Sequence, residues 1–232
     1  MSIGASTKLV ALLGHPVAHS LSPRMQNAAF AACGLDWAYV ALDVPPEQLE
    51  EVLRGIVAGG FVGANVTIPH KRAAAALCDE ADGDAVNTLV FADGRVRGFN
   101  TDKEIVSGIV SEHVCLIGDG GAAAALLPGL HGEVRQFSRR GLWPPEADGC
   151  DLIVNATPVS DVLLVEPHAG QVVVDLAYAE GETVLIRAAR AAGCEVVDGL
   201  EGLFRQGAAS FELWTGLAAP GSVMRRALGL AA

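Results

Sequence analysis

Lys71 stands where an α/β chain usually keeps its chemistry. The stretch Asn65-Val66-Thr67-Ile68-Pro69-His70-Lys71 begins as a β-branched strand and stops at a proline. It then delivers the lysine at the start of an alanine-rich helical run, His70 to Ala81. A strand-to-helix junction of this kind is where open α/β sheets bind ligands. The chain carries thirteen arginines but only three lysines, Lys8, Lys71 and Lys103, so a lysine here is not simply the common local cation. An ammonium at such a junction can stabilise a developing anion or supply a proton. The bland alternative is a surface lysine near a helix start, which the helix dipole slightly disfavours.

Other polar residues cluster at similar junctions. Ser20 and Ser22 precede a helical run from Pro23 to about Cys33, with Ser22 read as the N-cap and Pro23 as the first helical residue. Two hydroxyls beside open helix amides suit a carboxylate. Capping accounts for Ser22 and leaves Ser20 without a structural task. Asn87 sits inside an apolar strand, Ala85 to Val90, where an amide must find a partner. Asn100-Thr101-Asp102 ends the return strand, Val96 to Phe99, after an Asp93-Gly94 hairpin turn; residues of these types in such places are mostly caps. Gln206 lies on a helical face, where a solvated glutamine is the commoner explanation.

The second half carries a different signal. Gly118-Asp119-Gly120-Gly121 separates a strand, Val114 to Ile117, from a helix, Ala122 to Leu130. The spacing departs from the full dinucleotide fingerprint, but a glycine turn between strand and helix is what cradling a phosphate requires. Glu133 to Ser138 is the next strand, with Arg139-Arg140 at its carboxyl end. Two guanidiniums there suit a ribose 2'-phosphate, whereas an NAD site usually has an acid at that point. A bound dinucleotide is therefore expected to be NADP in preference to NAD, the other reading being a solvated basic pair.

These residues need elements to hold them. Strands are expected at Leu9 to Leu13, Trp37 to Leu42, Phe61 to Ile68, Asp151 to Asn155, Gln171 to Leu176 and Glu195 to Asp198. Helices are expected at Pro46 to Ala58, Asp102 to Val110 as a short linker, Thr183 to Ala192, Gly202 to Trp214 and Val223 to Leu230. Only Arg139 to Cys150 joins two strands that would ordinarily need a crossover helix. The run Trp143-Pro144-Pro145 within it cannot continue one, so the adenine side of a cofactor pocket should be abbreviated.

Composition narrows the class. At 232 residues, with 51% hydrophobic residues, the chain can bury a sizeable core. A net charge of -11 argues against a general nucleic-acid binder. No apolar run is long enough for a membrane span, no signal peptide is evident, and the five cysteines form no metal-ligand pair, which together favour a cytoplasmic protein with reduced thiols and no bound metal.

Taken in order, the motifs Gly14 through Pro23, Asn65 through Lys71, Ala85-Val86-Asn87-Thr88, Gly98-Phe99-Asn100-Thr101-Asp102, Gly118 through Ala122, Asn155-Ala156-Thr157-Pro158 and Gln206-Gly207-Ala208 resemble the shikimate dehydrogenase family. The resemblance runs from about Leu9 to Leu230. It implies an α/β protein of two domains, a substrate-binding domain at 1-102 completed by helices at 200-232, and an abbreviated Rossmann-like NADP-binding domain at 103-199. It further implies reversible reduction of 3-dehydroshikimate to shikimate, with Lys71 and Asp102 as the catalytic pair. Ser20, Ser22 and Tyr178 would hold the substrate carboxylate, and Thr67, Asn87 and Gln206 its ring hydroxyls or reacting oxygen. Gly118, Gly120, Gly121, Ala122, Ser138, Arg139, Arg140, Asn155 and Thr157 would line the cofactor site.

The implied partner is a small hydroxylated cyclic carboxylic acid, bound by a monomer or homodimer. The chain departs from the family at Gln26 (usually histidine), at Ser138 and Arg140 flanking Arg139, at Val159-Ser160, and in the length of its cofactor half. A dehydrogenase of an amino- or deoxy-variant of the shikimate skeleton, or a non-catalytic binder of such acids, would share most of these motifs.

Overall fold

The computed structural model describes residues 3–177 and 181–231. Its chain divides into two compact units, Met1–Thr101 with Phe204–Ala232, and Asp102–Leu203. In the first, β1 (Lys8–Gly14) leads through α1 (Ser22–Ala32) to β2 (Trp37–Asp43), then through α2 (Leu49–Ala58) to β3 (Gly63–Val66). α3 (Lys71–Leu77) and the two-residue β4 (Glu80–Ala81) precede the hairpin β5 (Thr88–Ala92) and β6 (Arg95–Phe99). The six strands lie in the order β2-β1-β3-β5-β6-β4. β1 pairs in parallel with β2 and β3, while β5 runs antiparallel to β3 and β6.

The second unit has β7 (His113–Ile117), α4 (Gly121–Leu126), β8 (Glu133–Phe137), β9 (Leu152–Asn155), β10 (Val172–Asp175), α5 (Val184–Ala191) and β11 (Glu195–Val197). Its sheet is parallel throughout, in the order β11-β10-β9-β7-β8. The order reverses between β7 and β9, which makes their carboxyl ends the switch point where doubly wound sheets bind ligands. α6 (Gly199–Thr215) contains the boundary between the units, and α7 (Gly221–Leu228) closes the chain.

Each sheet is sealed by the apolar runs seen in sequence. In the first unit one cluster joins Leu13, Val66 and Leu89 of the sheet to Leu49, Leu53 and Ile56 of α2 and Ala74 of α3. On α1, Met25, Ala29 and Phe30 are fully buried, and Phe30 stacks on Phe211 of α6 at 5.7 Å between ring centroids. In the second unit, β7, β9 and β10 present Val114, Leu116, Val154 and Val174 to one cluster and Cys115, Ile117, Ile153 and Val173 to another. Strands buried on both faces read as continuous apolar runs, as these do.

Several expected boundaries shift, for identifiable reasons. α3 ends at Leu77 rather than Ala81, because the chain beyond it joins the sheet: the Asp79 N–H donates to Val96 O, the Val96 N–H returns to Asp79 Oδ2 at 2.7 Å, and β4 pairs with β6. The residues 122–130 form only the short α4 and a 3-10 turn, Leu127–Gly129. Pro128 cannot continue an α-helix because it lacks an N–H and its ring meets the preceding turn. The linker after β6 is a single 3-10 turn, Asp102–Ile105, rather than a helix to Val110. α6 starts at Gly199, three residues early, because Asp198 Oδ1 accepts the Leu200 and Glu201 amides at 3.1 and 2.9 Å. Between β8 and β9 there is neither helix nor strand, as the sequence predicts.

Gly63 shows how closely β3 is packed. A Cβ there would collide with the Leu89 carbonyl oxygen and the Trp214 indole, whose Nε1–H donates to that same oxygen at 2.9 Å. Gly63→Ala is expected to cost at least about 2 kcal/mol in urea-induced unfolding, through overpacking and loss of that bond.

Candidate functional site

In the first unit Ser22, Asn87 and Gln206 are joined by one buried hydrogen-bond network, and backbone hydrogen bonds set Thr67 and Lys71 at the neighbouring strand and helix ends. The carboxyl ends of β1 and β3 are tied by the Thr67 N–H donating to Leu13 O and the His15 N–H donating to Ile68 O. Gly14 is required there, since a Cβ would collide with the Thr67 methyl. The chain then turns at Pro69, and Lys71 opens α3 half-buried, its carbonyl accepting the Val86 N–H. Thr67 and Lys71 thus lie one helical entry apart beside Asn87, whose carbonyl accepts the Val66 N–H.

Asn65 is the hub. Its Nδ2 donates to the Asn87 carbonyl, Thr88 Oγ1 and Ser210 Oγ at 2.9–3.0 Å, and its Oδ1 accepts from Tyr39 Oη at 2.7 Å. Asn87 Oδ1 accepts the Thr101 N–H at 2.7 Å and Thr101 Oγ1 at 3.1 Å, while its Nδ2 donates to Gln206 Oε1 at 3.3 Å. Asn87 therefore has the partners that burial demands. It also orients Gln206, which does not lie on a solvated face but is half-buried. Burial pushes the Tyr39 phenol far above its ordinary value, and a hydrogen bond with the Ser22 side chain opposes that rise. The network consequently reaches from Ser22 on α1 to Gln206 on α6.

The capping role read for Ser22 from sequence is not the one observed. Ser22 is the first residue of α1 and makes no side-chain cap; Leu21 occupies the N-cap position. It is Ser20 Oγ that accepts the Ser22 N–H, at 3.2 Å, leaving its own O–H to donate elsewhere. Ser20 thereby satisfies one of the amides that a helix start leaves without an intrahelical partner. Gln26 ties α1 to α6 through Nε2–H donating to Gly207 O at 2.8 Å. Asp102 is 7% exposed and directly follows Thr101, at the start of the 3-10 turn that opens the second unit. Tyr178 lies outside the described residues.

In the second unit the glycine turn and the Asn155 loop meet at the sheet's switch point. The Gly118 N–H donates to Phe137 O, and the Ala156 N–H donates to Ile117 O. Gly118 has φ +120°, and a Cβ on it would stand 3.1 Å from the Ala156 oxygen and 3.3 Å from the Thr157 methyl. Gly120 and Gly121 face open space, so the turn has the room that close approach of a pyrophosphate needs. Asn155 is fully buried and shapes the adjoining loop: Oδ1 accepts Thr157 Oγ1 at 2.7 Å, and Nδ2 donates to Asp175 Oδ1 at 2.9 Å. Desolvation pushes the Asp175 carboxyl up, against hydrogen bonds from Thr183, Ala177 and Asn155. Asp119 does not face the turn with an unbalanced charge, because Arg140 Nε lies 3.7 Å from its Oδ2. Arg139 packs over the Trp143 ring, 5.8 Å from its centroid. The donors and the open glycine backbone fit a dinucleotide.

Comparison with known proteins agrees with this geometry. Residues 12–89 match the profile of the shikimate dehydrogenase substrate binding domain, and residues 199–228 that of the shikimate 5'-dehydrogenase C-terminal domain. The shikimate dehydrogenase (NADP(+)) of Methanopyrus kandleri is 40% identical over 281 aligned residues, covering 98% of this chain and 97% of the relative. The chain belongs to the shikimate dehydrogenase family. Among solved family structures, a shikimate dehydrogenase in complex with NADP+ superposes with a TM-score of 0.89 at 35% identity, over 98% of this chain and 96% of that one. A second, shikimate 5-dehydrogenase from Listeria monocytogenes in complex with shikimate and NAD, gives 0.84 at 26% identity over 98% of each chain. Members of the family thus use NADP or NAD. The 281 aligned positions exceed the 232 residues of this chain, so stretches of the Methanopyrus kandleri relative stand opposite gaps here.

Sequence reasoning gave no site role to Tyr39, Thr88 or Ser210, which complete the network around Asn65 and Asn87. Only the strand position of the two asparagines hinted at them, since buried amides require partners. Among the described residues no group of acidic, histidine and cysteine side chains could hold a metal ion, and no helix is long and apolar enough to cross a membrane. Removing the Tyr39 hydroxyl leaves Asn65 Oδ1 buried without its donor. Tyr39→Phe is expected to lower the unfolding free energy by about 1–3 kcal/mol in urea titration, with the far-UV spectrum unchanged.

Proposed function

We propose that this protein is an NADP-dependent shikimate dehydrogenase, interconverting 3-dehydroshikimate and shikimate. The observation that carries the reading is the bonded series Ser22, Tyr39, Asn65, Asn87, Gln206, which fixes hydroxyl and amide groups near Lys71 before any ligand arrives. Polar groups fixed in this way suit a compact acid bearing several hydroxyls. Ser20 and Ser22 take the carboxylate in this reading, and Thr67, Asn87 and Gln206 take the ring oxygens.

The nicotinamide supplies the hydride when bound. The chain's own residues supply the rest. The Lys71 ammonium stabilises negative charge on the reacting oxygen and passes it a proton in the reducing direction. Asp102, buried and next to the Thr101 that Asn87 holds, is taken in this reading as the second member of the catalytic pair. In the second unit Gly118, Gly120, Gly121 and Ala122 give the pyrophosphate backbone room, with Asn155 and Thr157 shaping the opposite loop. Ser138, Arg139 and Arg140 receive the ribose 2'-phosphate, and the absence of an acid at the end of β8 favours NADP over NAD. The first unit, with the family's substrate-binding match, is the substrate domain, and the second the cofactor domain. Five free cysteines suit the reducing cytoplasm.

Steady-state oxidation of shikimate by NADP tests the assignment. The wild type is expected to turn over, and Lys71→Ala to lose about 10²-fold or more in kcat with a smaller change in KM, since the ammonium acts mainly in the transition state. Absence of turnover with shikimate or quinate, using either NADP or NAD, overturns the assignment; a near-normal kcat in the variant removes Lys71 from the chemistry.

A further inference from the structure

The short connection between β8 and β9 does more than close a gap. Its later part takes the place of packing that a crossover helix would give: Ala147 and Cys150 are buried against Phe137 and Ile153, and Arg135 pins the loop by donating to Asp148 O at 2.6 Å and to Cys150 Sγ at 3.0 Å. Its first part folds back on the end of β8, with the Ser138 N–H donating to Leu142 O and the Gly141 N–H to Ser138 O, both at 3.0 Å. Within this anchored loop Trp143 is left 40% exposed. The other two tryptophans, Trp37 and Trp214, are 8% and 7% exposed. An indole on an anchored loop but outside the core has ring surface left to offer a ligand.

Its surroundings describe that ligand in chemical terms. Trp143 lies beside the carboxyl end of the second strand of a doubly wound sheet, the place to which the adenosine half of a dinucleotide extends. The Arg139 guanidinium packs on the ring, and Arg140 stands at the same strand end, paired with Asp119. An indole packed by one guanidinium, with a second arginine on the next residue of the same strand end, matches an adenosine bearing a phosphate: the base stacks on the ring while the phosphate meets the cations.

We propose that Trp143 is the adenine platform of the dinucleotide site, an aromatic wall supplied by the loop that replaces the crossover helix. This rests on the dinucleotide reading above and adds to it a residue outside the glycine turn and the arginine pair. Because the adenine is common to both dinucleotides, Trp143 contributes to affinity for NADP and NAD alike, while the arginine pair discriminates between them.

The test uses 2',5'-ADP, which carries the adenine and the 2'-phosphate, and nicotinamide mononucleotide, which carries neither. Quenching that is present in the wild type and lost in Trp143→Phe assigns the emission change to Trp143 rather than to Trp37 or Trp214. Saturable quenching by 2',5'-ADP and none by nicotinamide mononucleotide are expected in the full wild-type chain. Calorimetry should give a Kd for 2',5'-ADP raised about 5- to 100-fold in Trp143→Ala and much less in Trp143→Phe, which keeps a stacking face and guards against misfolding of the alanine variant. Equal 2',5'-ADP affinity in the wild type and both variants overturns the platform while leaving the dinucleotide reading intact. A wild type that binds neither 2',5'-ADP nor NADP overturns both.

Discussion

A carboxamide buried in a β-sheet governs the first unit. Asn65 is 5% exposed in the middle of β3, with apolar neighbours on either side, and an amide in that position is costly unless each of its atoms is paired. Pairing them draws in Tyr39 from β2, the Asn87 carbonyl and Thr88 from the start of β5, and Ser210 from α6. Of those partners Asn87 belongs to the proposed substrate site and Thr88 follows it directly, while Tyr39 and Ser210 brace it from β2 and α6. Satisfying Asn65 therefore fixes where Asn87 and Gln206 stand, and the same sheet edge sets Thr67 and the start of α3 at Lys71. Folding and preorganisation of the site are one physical requirement here.

The second unit meets a different constraint. A parallel sheet needs both faces covered, and this one loses a crossover helix between β8 and β9. The loop makes up the loss with a few buried side chains and the Arg135 bonds, and it keeps the strand order that creates a switch point at β7 and β9. What the dinucleotide chemistry needs most, an open glycine backbone and cations at the end of β8, lies on strand ends that the shortening leaves in place. The Asp119 carboxylate, which by itself would repel a pyrophosphate, is offset by Arg140 at 3.7 Å; both are substantially exposed, so the pair is worth little in stability and matters chiefly for local charge.

Much of this was legible in the residues. The β-branched run ending in proline before Lys71, the glycine turn, the arginine pair and the helix-breaking Trp143-Pro144-Pro145 each carry a local physical signal, and the ordered motifs pointed to the family. Local signals failed where tertiary pairing intervenes. The alanines after Lys71 favour helix, yet Asp79 to Ala81 leave it to bond with β6. Ser22 has the residue type of an N-cap, but the helix begins on it and Ser20 takes the amide. The partners of Asn65 are separated from it by as many as 145 positions, and no periodicity within one segment could reveal Ser210 or Tyr39 as neighbours.

The buried network is proposed to fix the first unit's groups for a hydroxylated cyclic acid before any cofactor arrives. Calorimetric titration of the full chain with shikimate in the absence of dinucleotide tests it most directly. Saturable one-to-one binding, weakened at least about tenfold by Asn87→Ala, is the predicted result. No saturable heat with shikimate, whether NADP is present or absent, would contradict the account.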